Sequence, residues 1–228
     1  MRSRPFLVAT AILALAGGTW ANPPGDGCGD AALAAPQRPY VAIRRLEAGN
    51  LKSGRHGWME VRTELGADGL LVVEVLDEGG SDYIRNKVLR AALESEKQLV
   101  ARRPSEPLHA ADRTTCGESQ VDESGLLRVP LRPARKGGDN LVIGHMFLEP
   151  GTGDLVRVAG RLAKNPSFWV SQVDVEWTYA RVHKDIVLPV SLHSVAKVKV
   201  FGPSTFNMTY DYRSVDGQAV SAGSLASR

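Results

Sequence analysis

The sequence predicts a mainly β (α+β) protein: a curved antiparallel sheet, or incomplete β-barrel, with one main helix packed against it. Three observations carry this expectation. The stretch Val187–Tyr212, VLPVSLHSVAKVKVFGPSTFNMTYDY, alternates apolar and polar residues in two runs around a Gly-Pro-Ser-Thr turn. A period of two buries one face of a strand and wets the other, and a single covered face fits antiparallel pairing. Similar runs recur along the chain, joined by short Gly-containing connections. The period then changes to a helical one between Tyr83 and Ala101.

Residues 1–21, MRSRPFLVATAILALAGGTWA, read as a secretory signal peptide, with Arg2 and Arg4 before the apolar run Phe6–Ala16 and small residues around Ala21. The run is shorter than the roughly 20 residues a spanning helix needs. Gly18 follows Leu15-Ala16-Gly17, where a lipoprotein signal would carry cysteine. The expectation is a soluble periplasmic or secreted protein with no transmembrane anchor after cleavage. Removing Arg2 and Arg4 from 28 basic residues, against 25 acidic ones, leaves a net charge of +1. Such a balance gives no electrostatic case for nucleic acid.

Residues 22–39 form an extended leader rich in Pro, Gly and Ala. One antiparallel domain is expected over 40–213. Its first strands are Tyr40–Ala48, Gly57–Leu65 and Gly69–Asp77. Ser81 or Asp82 caps the helix that follows, over about 83–101. Ile84, Val88 and Ala91 lie on its apolar stripe, widened by Leu89, Ala92, Leu93, Leu99 and Val100. Arg85, Lys87, Arg90, Glu94, Glu96 and Lys97 supply the solvated face. A long polar segment, 102–124, comes next. Strands resume at Leu126–Leu131, Leu141–Leu148, Leu155–Ala163 and Phe168–Val182, then the final hairpin, then a flexible tail from 214 to 228.

The two cysteines, Cys28 and Cys116, can form a disulfide in an oxidising compartment. Two free thiols and an intermolecular bridge are the alternatives. Neither cysteine belongs to a zinc cluster, so no metal and no cofactor are expected. The histidines show no metal-binding spacing, and no nucleophile elbow is present. No catalytic residue is assigned. His145 shares a strand face with Leu141, Ile143 and Phe147 and reads as a hydrogen-bonded core histidine; it and His109 are the candidates for a base if the chain is an enzyme. Asp174 and Glu176 lie about 7 Å apart on one strand face. Arg44, Arg157, Arg161 and Arg181 read as salt-bridge partners for such acids. The aromatics are either core filler or the lining of an apolar groove. The candidate groove residues are Trp58, Trp177, Phe206, Met208 and Tyr210.

The segment GDLVRVAGRLAKNPSFWVSQVDV, residues 153–175, is similar to strands of outer-membrane lipoprotein-sorting proteins. With the signal peptide, the meander and the inserted helix, the chain resembles the periplasmic lipoprotein-carrier superfamily of LolA/LolB-type carriers and RseB-type regulators. That resemblance implies an incomplete β-barrel plugged by helices around a cavity for acyl chains. The carriers have several helices where this chain shows one. The expected role is non-enzymatic binding of a lipid or lipoprotein acyl chain, with an envelope protein-interaction module as the alternative and an enzyme as the second alternative.

Overall fold

Alternation decides the architecture strand by strand. A computed structural model describes residues 38–102, 114–116, 118–133, 142–165, 167–183 and 186–220. The strands are β1 (Tyr40–Asn50), β2 (Arg55–Leu65), β3 (Leu71–Gly80), β4 (Thr114–Cys116), β5 (Gln120–Val121), β6 (Leu127–Pro133), β7 (Val142–Leu148), β8 (Leu155–Leu162), β9 (Val170–His183), β10 (Ile186–Val198), β11 (Gly202–Val215) and β12 (Gln218–Ala219). All pairings are antiparallel. They form one open sheet in the order β3-β2-β1-β11-β10-β9-β8-β7-β6-β4, with β12 on β11 and β5 on β6. The first strand thus lies beside the last long one, and among the described residues β3 and β4 are left as edges.

A single helix among the described residues, α1, packs on β1, β2 and β3. It comprises an α-turn (Asp82–Ile84), a π-helical segment (Arg85–Leu89) and an α-helical stretch (Arg90–Arg102). Ser81 sits at its start with no side-chain capping bond; instead its carbonyl accepts from the Arg85 N–H at 3.0 Å. The π segment shifts the stripe. From Ile84 the next fully buried residue is Leu89, and the stripe continues through Ala92, Leu93, Glu96 and Val100. Glu96 is therefore buried, not solvated as the pattern predicts, because the wider π turn moves it onto the sheet side.

Three further boundaries differ from expectation. The Gly-Pro-Ser-Thr segment is not a turn: Gly202–Thr205 is the start of β11, paired with Val195–Val198. The turn is Lys199-Val200-Phe201, with Val200 at φ 72°. The domain does not end at 213. Val215 is fully buried, and Asp216-Gly217, both at positive φ, return the chain into β12, as a primed hairpin turn does. Within the polar segment 102–124, β4 and β5 pair with β6. The signal peptide, nearly all of the leader, Cys28, His109 and the end of the tail lie outside the described residues, and the Cys28–Cys116 pairing with them.

Candidate functional site

The concave face is built by parity. On β1 the even residues Tyr40, Ala42, Arg44, Leu46 and Ala48 point inward and are all buried. Register carries one inward row across eight strands: Val129, Met146, Val158, Trp177, Leu192, Met208, Leu46 and Met59. Each is at most 7% exposed. Met59, Met146 and Met208 all lie in this row, and the sequence has only one other methionine, Met1. Thioether side chains are unbranched and repack easily. Gly144 and Gly160 pair on the neighbouring row, where a Cβ on either would fall within 2.4 Å of the facing strand's backbone. β7 and β8 approach too closely there for any larger residue.

Four of the five expected groove residues are gathered on this face. Trp177, Phe206, Met208 and Tyr210 are each no more than 5% exposed and belong to one continuous apolar cluster with the inward side of α1. Trp58 stands apart. It pairs with Glu47 on the convex face, lies across Gly79 of β3 and carries the Arg45 guanidinium 4.4 Å above its ring. It follows inward-facing Gly57, so strand parity alone puts it outside.

The polar centre of the concave face is Arg44. Its guanidinium donates to both carboxylate oxygens of Glu96 at 2.9 Å and to Thr63 Oγ1 at 2.8 Å. It lies 3.8 Å from Met208 Sδ and 5.5 Å from the Tyr210 ring centre. Side-chain exposure of the two partners is 0% and 4%. Burial works against the Arg44 charge, but Glu96 outweighs it and holds the guanidinium firmly protonated. The pair ties α1 to β1. A fork-to-carboxylate bond fixes both distance and orientation. Tyr210 stacks on Tyr212 at 5.7 Å and Tyr40 meets Tyr212 edge-on at 5.6 Å. The Tyr212 hydroxyl donates to the Pro189 carbonyl at 2.9 Å. Burial pushes the phenols of Tyr40, Tyr179, Tyr210 and Tyr212 well above their ordinary range. Ser194, between Val175 and Phe206 in register, is 1% exposed, and its hydroxyl has no hydrogen-bond partner among the described residues.

Arg44 and Ser194 are the functional candidates that the strand patterns alone do not single out. A signal for each exists: both are polar residues at the inward parity of an otherwise apolar face.

The convex face holds the remaining candidates. His145 is on this face, not in the core; its neighbours are Phe147 at 6.4 Å between ring centres and Arg128, whose guanidinium donates to Nε2 at 2.9 Å. Desolvation and the Arg128 charge both hold the imidazole below its usual pKa. Its lone pair is engaged by Arg128, so it is poorly placed as a base. An open cleft of about 450 Å³ beside it is lined by residues that include Arg132, Ile143, Arg161 and Asp174. Arg161 and Asp174 face each other in register, and Arg157 lies 3.8 Å from Glu176. Arg181 pairs with Asp154. Among the described residues no group of three or more His, Cys, Asp or Glu side chains could hold a metal, and no helix is long and apolar enough to cross a membrane.

No known protein family, curated protein or solved structure matches the chain.

Proposed function

We propose that this chain is an exported, non-catalytic binding protein that holds a lipid or lipoprotein acyl chain against its concave face. The observation that carries the reading is the inward row of soft apolar side chains, three methionines and Trp177 among them, whose β1–β2 end lies under a helix fastened by one buried ion pair. A helix packed only by apolar contacts has no discrete latch. Here the Arg44–Glu96 fork is one, joined at the start of the helix by Arg85 and Arg90 on Glu78 of β3, and release of all three would let α1 lift while the sheet stays paired. Methionines then re-pack around an alkyl chain, as they do at adaptable binding surfaces. Ser194 would supply a hydrogen bond to a carbonyl near the head of such a ligand, which its unpartnered hydroxyl leaves free to form. The test is native mass spectrometry and organic extraction of the purified protein, with uptake of a fluorescent fatty acid. Bound lipid and saturable uptake, weakened in Ser194→Val, are the expected results. No extracted lipid together with no uptake overturns the reading.

A second reading, an envelope protein-interaction module, is favoured by one observation. Among the described residues β3 is an edge strand, paired on one side only, with Val72 and Leu76 exposed at 52% and 46%. A partner strand could add there through main-chain bonds. Val72→Lys/Leu76→Lys should abolish capture of such a partner without unfolding the domain; unchanged capture removes this reading.

A further inference from the structure

Three loops meet at one end of the sheet. They are the β1–β2 turn with Leu51 and Lys52, the β8–β9 loop with Phe168 and Trp169, and the β10–β11 turn with Lys199, Val200 and Phe201. They are bonded to one another. Leu51 N–H donates to the Pro203 carbonyl at 3.0 Å, Lys199 N–H to Trp169 at 2.8 Å, Lys52 Nζ to Val200 at 3.0 Å and Asn50 Nδ2 to Phe201 at 2.9 Å. Lys199 Nζ also lies 4.2 Å from the Phe168 ring centre.

Five large apolar side chains are displayed here: Leu51 67% exposed, Phe168 78%, Trp169 42%, Val200 72% and Phe201 48%. Such a concentration marks an interaction site. Val200 is held at φ 72° to stay there, a conformation in which a β-branched residue is strained. The charge within the chain segments that carry these side chains has one sign. Segments 48–57, 162–171 and 196–205 contain Lys52, Arg55, Lys164, Lys197 and Lys199 and not one Asp or Glu. Tyr83, 45% exposed, extends the rim beside Arg55, and the neighbouring Asp82 is paired with Arg85. The opposite end is the reverse. Its turns carry Asp68, Asp122, Glu123, Glu149, Asp154 and Asp216.

We infer that the end bearing Leu51, Phe168, Trp169, Val200 and Phe201 docks on an anionic lipid bilayer. Three features select a membrane over a protein partner. The cations are mostly lysines, which protein interfaces disfavour and anionic leaflets attract. The apolar groups project from three hairpin tips and do not line a groove, a shape suited to a deformable surface. The carbonyls of Trp169, Val200, Phe201 and Pro203 at the tips are already hydrogen-bonded within the protein, which lowers the cost of dehydrating the tips at the headgroup boundary. Tryptophan and phenylalanine then sit at the interface with lysines among the headgroups. The inference concerns the outer loops and stands whether or not the interior holds a ligand.

The experiment is co-sedimentation of the full chain, purified as its host processes it, with sucrose-loaded vesicles. One set is phosphatidylcholine mixed with phosphatidylglycerol, the other phosphatidylcholine alone. Binding to the anionic set, weakened by salt, is expected. Lys52→Glu/Lys199→Glu should weaken it by roughly fivefold or more per site, and Phe168→Ser/Phe201→Ser by about tenfold or more. Leu70→Ser/Val121→Ser, at the acidic end, should leave it unchanged. Far-UV circular dichroism and the urea midpoint confirm folding. If a charge-reversed protein unfolds, Lys52→Gln/Lys199→Gln carries the same expectation at reduced size. Absence of binding to anionic vesicles, equal binding to both sets, or insensitivity to both loop pairs overturns the inference. So does a lipid-free dimer that the loop variants dissolve, which would make the partner a second copy of the chain.

Discussion

Arg44 and Arg45 are neighbours in the chain and chemically identical, yet they belong to two different solvents. Arg44 faces the concave side, where Glu96, Thr63, Met208 and the tyrosines enclose it completely. Arg45 faces the convex side, pairs with Glu47 at 2.7 Å with both side chains partly exposed, and lies over Trp58. The convex face repeats this arrangement with Arg62–Glu64, Arg213–Asp211 and Arg157–Glu176. The lesson is that a salt bridge has no fixed value. Charges in water attract weakly and are screened, while the same pair out of water is worth little net but is very costly to break.

The sharpest way to break the comparison is to cut one partner on each face. Arg44→Met leaves the Glu96 carboxylate buried without a counter-charge and should destabilise the protein by about 3–5 kcal/mol in urea denaturation. Adding Glu96→Leu should restore most of that loss; a double variant as unstable as the single one would show that the ion pair is not the cause. Arg45→Ala should cost no more than about 1 kcal/mol. The tryptophans extend the test from charge to packing. Trp177→Ala opens a cavity in the inward row and should cost about 3–5 kcal/mol, whereas Trp58→Ala should lose about 1 kcal/mol, chiefly its contact with Arg45.

A smaller effect separates the faces by titration. The sequence has five tyrosines. Burial raises the pKa of Tyr40, Tyr179, Tyr210 and Tyr212. Ultraviolet titration to about pH 11 should therefore leave these four phenols un-ionised until the protein unfolds. Early ionisation of all five would contradict the enclosed tyrosine cluster. The smallest effect belongs to His145. Its folded pKa lies below the unfolded one, so the unfolded chain binds more protons as pH falls. Its contribution is complete above about pH 6.5 and is lost as pH drops through the folded value. His145→Asn should flatten the stability profile slightly in that window; a profile that steepens would contradict the Arg128 contact.

Much of this was legible from residues alone. Even parity on β1 and β11 and odd parity on β9 place Leu46, Met208 and Trp177 on one face, and those alternations are plain in the chain. Parity also sets Trp58 against them, since it lies one residue from inward Met59. Glu96 was not legible as a buried residue, because a π segment has no sequence signature comparable to a proline or a glycine, and a shift of one residue turns a solvated position into an interior one. The β10–β11 turn was masked by Gly202-Pro203. Both residues usually mark turns, but strand register with Val198 and Lys197 keeps them in β11.

By itself, the sequence determined the open antiparallel architecture, the single helix and the apolar identity of the inward face, because period is a local property and each strand states it within a few residues. Tertiary structure decided which arginine is buried, which glutamate meets it, and which loops share an end. Those depend on strand order. β1 reaches β11 across some 160 residues of chain, and only that pairing brings Leu51 beside Phe201 and sets Met208 beneath Arg44.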